Sequence, residues 1–196
     1  MTAEAFTIFD TPIGHCGIAW NNRGVCAVRL PESDAHRMRA RLLRRYPQAH
    51  AAVPPPDVQH AIDAIVTLLK GEPSDLSAVA LDLDCVSPFE RRVYEIARTI
   101  PPGATLSYGE VASRLGGREL APEVGEALGR NPFPIIVPCH RVLGSAGKVG
   151  GFSARGGVAT KLRLLAIEGA GTRDPATLFA GDVAFGFSVK PRRRSR

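Results

Sequence analysis

Cys139, His140 and Arg141 stand in a row near the end of Asn131-Pro132-Phe133-Pro134-Ile135-Ile136-Val137-Pro138. A thiol with an imidazole in reach, directly or through one water, can lose its proton, and the thiolate is the nucleophile. A lone cysteine is otherwise a small buried apolar side chain. On these residues alone both readings stand. Three prolines exclude a helix interior or a central strand. The segment is therefore expected to be a rigid, extended, apolar run that brings Cys139 to a fixed place.

Clear start signals precede that segment. Ser87-Pro88-Phe89-Glu90 reads as a capping box with proline at the first helical position. Phe89, Val93, Ile96, Ala97 and Ile100 give the buried stripe, and Pro101-Pro102-Gly103 ends it. Ser107-Tyr108-Gly109-Glu110 is a second capping box, opening a short helix that stops at Gly116-Gly117. A further helix over about 120–130 turns Leu120, Val124, Ala127 and Leu128 inward. Two short helices across a glycine turn make a helix-turn-helix.

The first half reads as α/β. Strands are expected over 5–9, near 16–20 and over 25–30, with turns at Asp10–Gly14 and Asn21–Gly24. Ser33 is expected to cap a helix over 34–46 that carries Arg37, Arg39, Arg41, Arg44 and Arg45. That basic face is either solvated or grazes DNA. After Pro54-Pro55-Pro56, Asp57 is expected to cap a helix with Val58, Ile62, Ile65 and Leu69 on one stripe. Alternation of Val79, Leu81 and Leu83 predicts a half-buried strand over 78–84. The boundary is placed there: 1–83 as an α/β domain with a small antiparallel sheet and helices, 84–170 as a mostly α-helical, winged-helix-like domain, and 171–196 as a basic tail.

The stretch PIIVPCHRV, with NP before it and GKVGGFS after it, resembles the O6-alkylguanine-DNA alkyltransferases, also called methylated-DNA–protein-cysteine methyltransferases. SPFERRVYEIARTIPPGATLSYGEVA and GGVATKLRLLAIEGA are similar to that family's helices in order and spacing. The resemblance implies DNA repair by stoichiometric, irreversible transfer of an alkyl group from O6 of guanine in DNA to Cys139. It makes His140 the base, oriented by Glu168. Tyr108 becomes a donor to the guanine ring, and Asn131 the pin of the turn before the active segment. Ser153, Phe152, Gly150 and Gly151 become the loop over the base, with Arg141 and Pro138 beside it. Ser107, Arg118, Arg130 and position 122 become the DNA-facing set. Lys161 reads as a surface residue.

One position departs from the pattern. The family places an arginine fourteen residues after the tyrosine, where this chain has Pro122. The outward face of that helix adds Glu119, Glu123 and Glu126, which repel phosphate. Affinity for alkylated double-stranded DNA is expected to suffer. Two other readings therefore stand beside repair: an alkyl acceptor for a free base or small alkylated substrate, and a damage-sensing DNA-binding module.

Composition narrows the rest. No cofactor and no metal are expected. His15, Cys16, Cys26 and His36 lack zinc-finger spacing, and Cys85 is expected to be buried. Four cysteines in 196 residues are too few for a disulfide scaffold, which fits a reducing cytoplasmic setting. No apolar run reaches membrane-span length, and no signal peptide is read at the start. A monomer is expected. The net charge of +6 is uneven. Residues 1–83 hold 8 Lys/Arg against 9 Asp/Glu, 84–170 hold 11 against 8, and 171–196 hold 6 against 2. The excess lies in the second half and the tail, as for a nucleic-acid-facing C-terminal part.

Overall fold

The computed structural model describes residues 2–170; the expected basic tail lies outside them. Strands β1 (Ala5–Thr11), β2 (Gly14–Asn21) and β3 (Gly24–Arg29) form an antiparallel meander. The sheet is mixed, because the two-residue β4 (His50–Ala51) returns parallel to β1, giving the order β3-β2-β1-β4. Helix α1 (Ala35–Arg45) covers one face, packing Met38 and Leu42 on Phe6, Ala19 and Ala27. Gly17 permits this approach: a Cβ there would lie 2.9 Å from both Leu42 Cδ1 and Met38 Sδ.

The other face builds the main core. Ile18, Trp20, Val25 and Val28 meet Val58, Ile62 and Ile65 of α2 (Pro56–Leu69). The same core continues into α3 (Pro88–Arg98), α4 (Tyr108–Leu115) and α5 (Ala121–Gly129). A backbone hydrogen bond from Val28 N–H to Pro132 O, 2.9 Å, ties β3 to the segment that leads to Cys139.

Several local expectations shift. The N-cap of α1 is Asp34, whose carboxylate accepts from Arg37 N–H at 2.8 Å; Ser33 hydrogen-bonds Asp34 instead. Helix α2 starts one residue before Asp57, with no side-chain cap, because a proline at the first turn has no N–H to satisfy. Asp10 and Thr11 belong to β1, so the turn is only Pro12-Ile13. No strand forms over 78–84; a single parallel bridge joins Leu81 to Val25. The reason is Asp82, buried between Val79, Leu81 and Leu83 where alternation would point it to solvent. Its carboxylate accepts from Asn21 Nδ2 at 2.7 Å and Arg23 Nη2 at 2.9 Å. Cys85 is exposed rather than buried.

Both capping boxes form as read, at Ser87/Glu90 and Ser107/Glu110. Helices α4 and α5 pack together across Gly116-Gly117 and a one-turn 3-10 helix, Arg118–Leu120. Pro122 sits in the first turn of α5, where its missing N–H costs nothing.

Candidate active site

The segment that carries Cys139 is not extended. It folds back on itself after α5. Asn131 Nδ2 donates to Val137 O at 2.8 Å, while its Oδ1 accepts from Phe133 N–H at 2.9 Å. Val137 N–H reaches Phe133 O at 2.8 Å. Ile135 is forced to a φ of 77°, which is rare for a β-branched residue. The surrounding bonds over-determine it, and Phe133 is fully buried edge-on to Tyr94, 6.4 Å between ring centres. Prolines rule out regular helix and ladder, but they also suit tight turns, and here the turn wins.

Pro138 then makes an inverse γ-turn (φ −79°, ψ 64°), with Cys139 N–H on Val137 O at 2.8 Å. Cys139–Arg141 form one 3-10 turn. Val142–Leu143 (β6) pairs parallel with Leu106–Ser107 (β5). The pairing matters for the site. Ser107 is the N-cap of α4, so β5 delivers Tyr108, the first residue of α4, beside Cys139.

Cys139 is 8% exposed and opens into a cavity of about 30 Å³. Tyr108, Lys161, Gly125, Leu128, Gly129 and the loop Gly151-Phe152-Ser153 line it. Gly150 packs against the Tyr108 ring. A space of that size admits about two waters, well short of a purine. A larger cavity of about 300 Å³, lined by Arg98, Ile135, Pro138 and Arg141 together with Ser74, Asp75, Ser77 and Thr99, contains no cysteine. Chemistry, not size, selects the smaller one.

Next to Cys139 in the chain is a buried, hydrogen-bonded cluster of His140, Glu168 and Arg141. His140 is 1% exposed, and its Nε2 meets Glu168 Oε1 at 2.9 Å. Glu168 caps the C-terminus of α6 (Val158–Ile167). The partners on Glu168 hold its carboxyl down to about 2, against the cost of burial. Burial lowers the imidazole's proton affinity, although Glu168 opposes it. An ionised Glu168 accepts, so Nε2 carries the hydrogen and Nδ1 keeps a free lone pair. Nδ1 is buried with no hydrogen-bond partner.

Burial pushes the Cys139 thiol up; the Asn131 side chain and the Lys161 charge pull the other way. Burial and the Cys139 charge raise the Tyr108 phenol, so it stays a protonated donor. The resting pair is thus thiol and neutral imidazole.

Lys161 corrects the sequence reading. It is fully buried, donates from Nζ to Val142 O at 2.6 Å, and stands 5.7 Å over the Tyr108 ring. A signal was present: Lys161, Leu164 and Glu168 share one face of α6 at i, i+3, i+7. Arg141 and Pro138 also differ from expectation. Neither lines the Cys139 cavity. Arg141 grips Glu168 from Nε and Nη2, both at 2.8 Å, and donates from Nη1 to Ile100 O.

On the outer surface, Pro122, Glu119, Glu123 and Glu126 are all exposed. Arg130 is committed to Glu90 at 2.8 Å and Glu126 at 3.5 Å, at the far end of α5. Arg118 lies against Gly109, next to Tyr108. The Ser107 hydroxyl is taken by its cap partners. Among the described residues, no group of three or more His, Cys, Asp or Glu is placed to hold a metal ion.

Residues 88–170 match the family model described as 6-O-methylguanine DNA methyltransferase, DNA binding domain. The chain is 37% identical over 158 residues to the methylated-DNA–protein-cysteine methyltransferase of Methanothermobacter thermautotrophicus, covering 81% of each protein. It is 34% identical over 174 residues to the Mycobacterium tuberculosis protein of the same name, covering 89% of this chain and 98% of that one. The crystal structure of Mycobacterium tuberculosis OGT in complex with DNA superposes with a TM-score of 0.68 at 34% identity, over 84% of this chain and 92% of that one.

Proposed function

This chain belongs to the methylated-DNA–protein-cysteine methyltransferase family, and on that premise we propose how its own residues carry out the repair of O6-alkylated guanine in DNA. The observation that carries the reading is a buried thiol beside an imidazole whose outer nitrogen is fixed by Glu168. The alkylated base leaves the stack, at a cost of a few kcal/mol, and enters beneath the loop Gly150–Ser153. The Cys139 proton passes to His140 Nδ1 through one water, since Nδ1 makes no direct hydrogen bond to the thiol. The sulfur attacks the alkyl carbon and the carbon–O6 bond breaks. Its electron pair returns to the guanine ring, which takes a hydrogen bond or proton from Tyr108. Lys161 holds the sulfur's surroundings positive as charge develops there.

Water does not cleave the resulting thioether, so one protein repairs one lesion. Asn131 holds the turn that aims Cys139, and Arg141 holds Glu168. We assign a DNA-facing role to Arg118, which lies beside Gly109 and Tyr108, rather than to Arg130, which is paired with Glu90 and Glu126. The unit from 84 to 170 carries the chemistry, and the sheet of 1–83 supports it through β3. No helix among the described residues is long and apolar enough to cross a membrane. We place the protein in the cytoplasm as a monomer acting on alkylated double-stranded DNA.

Intact-mass measurement after exposure to a duplex carrying O6-alkylguanine, beside free O6-benzylguanine, tests this. Transfer to Cys139, faster from duplex, is expected. A folded protein that gains no mass from either would overturn it. Gain from the free base alone would favour a small-substrate acceptor.

A further inference from the structure

Helix α1 carries five arginines and no acidic residue along its eleven positions. Arg37, Arg41, Arg44 and Arg45 recur at i, i+4, i+7 and i+8, which places them on one stripe. Met38 and Leu42 face the sheet instead. Arg37, Arg44 and Arg45 are exposed.

The stripe does not end in isolation. Arg41 pairs with one oxygen of Glu32, and Arg155 approaches the other at 3.9 Å. Arg155 comes two residues after Ser153, which lines the Cys139 cavity. Glu32 is therefore an ionic link between the segment that follows Ser153 and α1. Arg29, on β3, adds a further cation. Its Nε is buried without a hydrogen-bond partner, and the charges of Arg41 and Arg45 bear on it. Cations crowded beside two carboxylates, Glu32 and Asp34, are stabilised when an anion lies over them.

Resting on the DNA-repair reading above, we propose that Arg155 and the α1 stripe Arg37, Arg41, Arg44 and Arg45 form a phosphate-contacting track that carries duplex DNA beyond the base cavity onto the N-terminal half. Eleven helical residues span about 16 Å, roughly the rise of five base pairs. The track supplies positive charge that Glu119, Glu123 and Glu126 remove from the outward face of α5.

The test uses the full chain with Arg37→Gln, Arg44→Gln and Arg45→Gln together, leaving the Arg41–Glu32 pair in place. Thermal unfolding verifies that the variant is folded. Dissociation constants are measured across a salt series on a short unmodified duplex and on one of about 30 base pairs, neither of which the protein can consume by transfer. At roughly 0.9 per neutralised phosphate, the salt slope on the long duplex should become shallower by two to three units. The short duplex should change little. An unchanged slope and affinity on the long duplex would overturn the track. So would loss of low-salt self-association in place of any DNA effect, which would assign the stripe to an acidic protein surface. Benzylguanine labelling of the unaltered protein tests the transfer reading separately: labelling with an unchanged slope removes only the track.

Discussion

Arg141 and Glu168 form a two-pronged ion pair inside the protein, Nε to Oε2 and Nη2 to Oε1, both at 2.8 Å. The pair converts the C-terminal residue of α6 into a fixed acceptor for His140. It also ties α6 to the end of α3, because Arg141 Nη1 donates to Ile100 O. Replacing Arg141 by Met leaves Glu168 partly unpaired in the interior. Breaking a buried pair on one side costs about 3–5 kcal/mol. A drop of that size in urea-measured stability is expected, together with slower transfer; unchanged stability would show the pair to be inconsequential.

The same carboxylate makes stability sensitive to acid. Glu168 titrates at about 2 in the folded protein and near the ordinary 4.3 when unfolded. A depressed folded value stabilises above the unfolded pKa, and the benefit is lost as pH falls toward the folded one. Asp82, also held at about 2 by Arg23 and Asn21, acts in the same window. Urea midpoints should therefore fall between pH 4 and pH 2. Glu168→Gln should be weaker at neutral pH and flatter across that range.

Transfer itself should tolerate mild acid. Burial lowers the His140 pKa and raises that of Cys139, so the neutral base persists below the usual imidazole range. The single-turnover rate should stay level from pH 8 to about pH 6. Alkylation of Cys139 by iodoacetamide should be slow at neutral pH and climb in alkali. A rate that halves by pH 7 would contradict the neutral resting pair.

Removing the base or the nucleophile separates chemistry from fold. Cys139→Ala should abolish transfer with the thermal transition retained. His140→Ala should slow transfer by about 10²–10⁴-fold, the usual contribution of a positioned base. Lys161→Met keeps the volume but leaves Val142 O without its donor, costing about 1–3 kcal/mol, and should also slow transfer. Full activity in that variant would confine Lys161 to packing.

Pro122→Arg adds a cation among three glutamates on the outward face of α5. Duplex affinity should rise and the salt slope steepen by about 0.9. Weaker binding would show that this face is not turned to phosphate.

The sequence alone determined what local chemistry can encode. Ser87/Glu90 and Ser107/Glu110 announce two helix starts because a cap and its third residue are close in the chain. The β1–β3 meander is legible from short turns and apolar runs. Cys139-His140 is legible because adjacent residue types and a family resemblance meet there. Distance along the chain hid the rest. Alternation puts Asp82 on the polar side of a strand, but Asn21 and Arg23, about sixty residues away in the chain, pair with it in the interior. A lysine is normally too costly to bury, so residue type alone puts Lys161 at the surface; only the fold supplies Val142 O and the Tyr108 ring. Arg141, beside the nucleophile in sequence, turns away from the cavity because one 3-10 turn points successive side chains in different directions. The tertiary structure decided which charges are paired, and pairing, not residue type, separates the buried cluster from the surface.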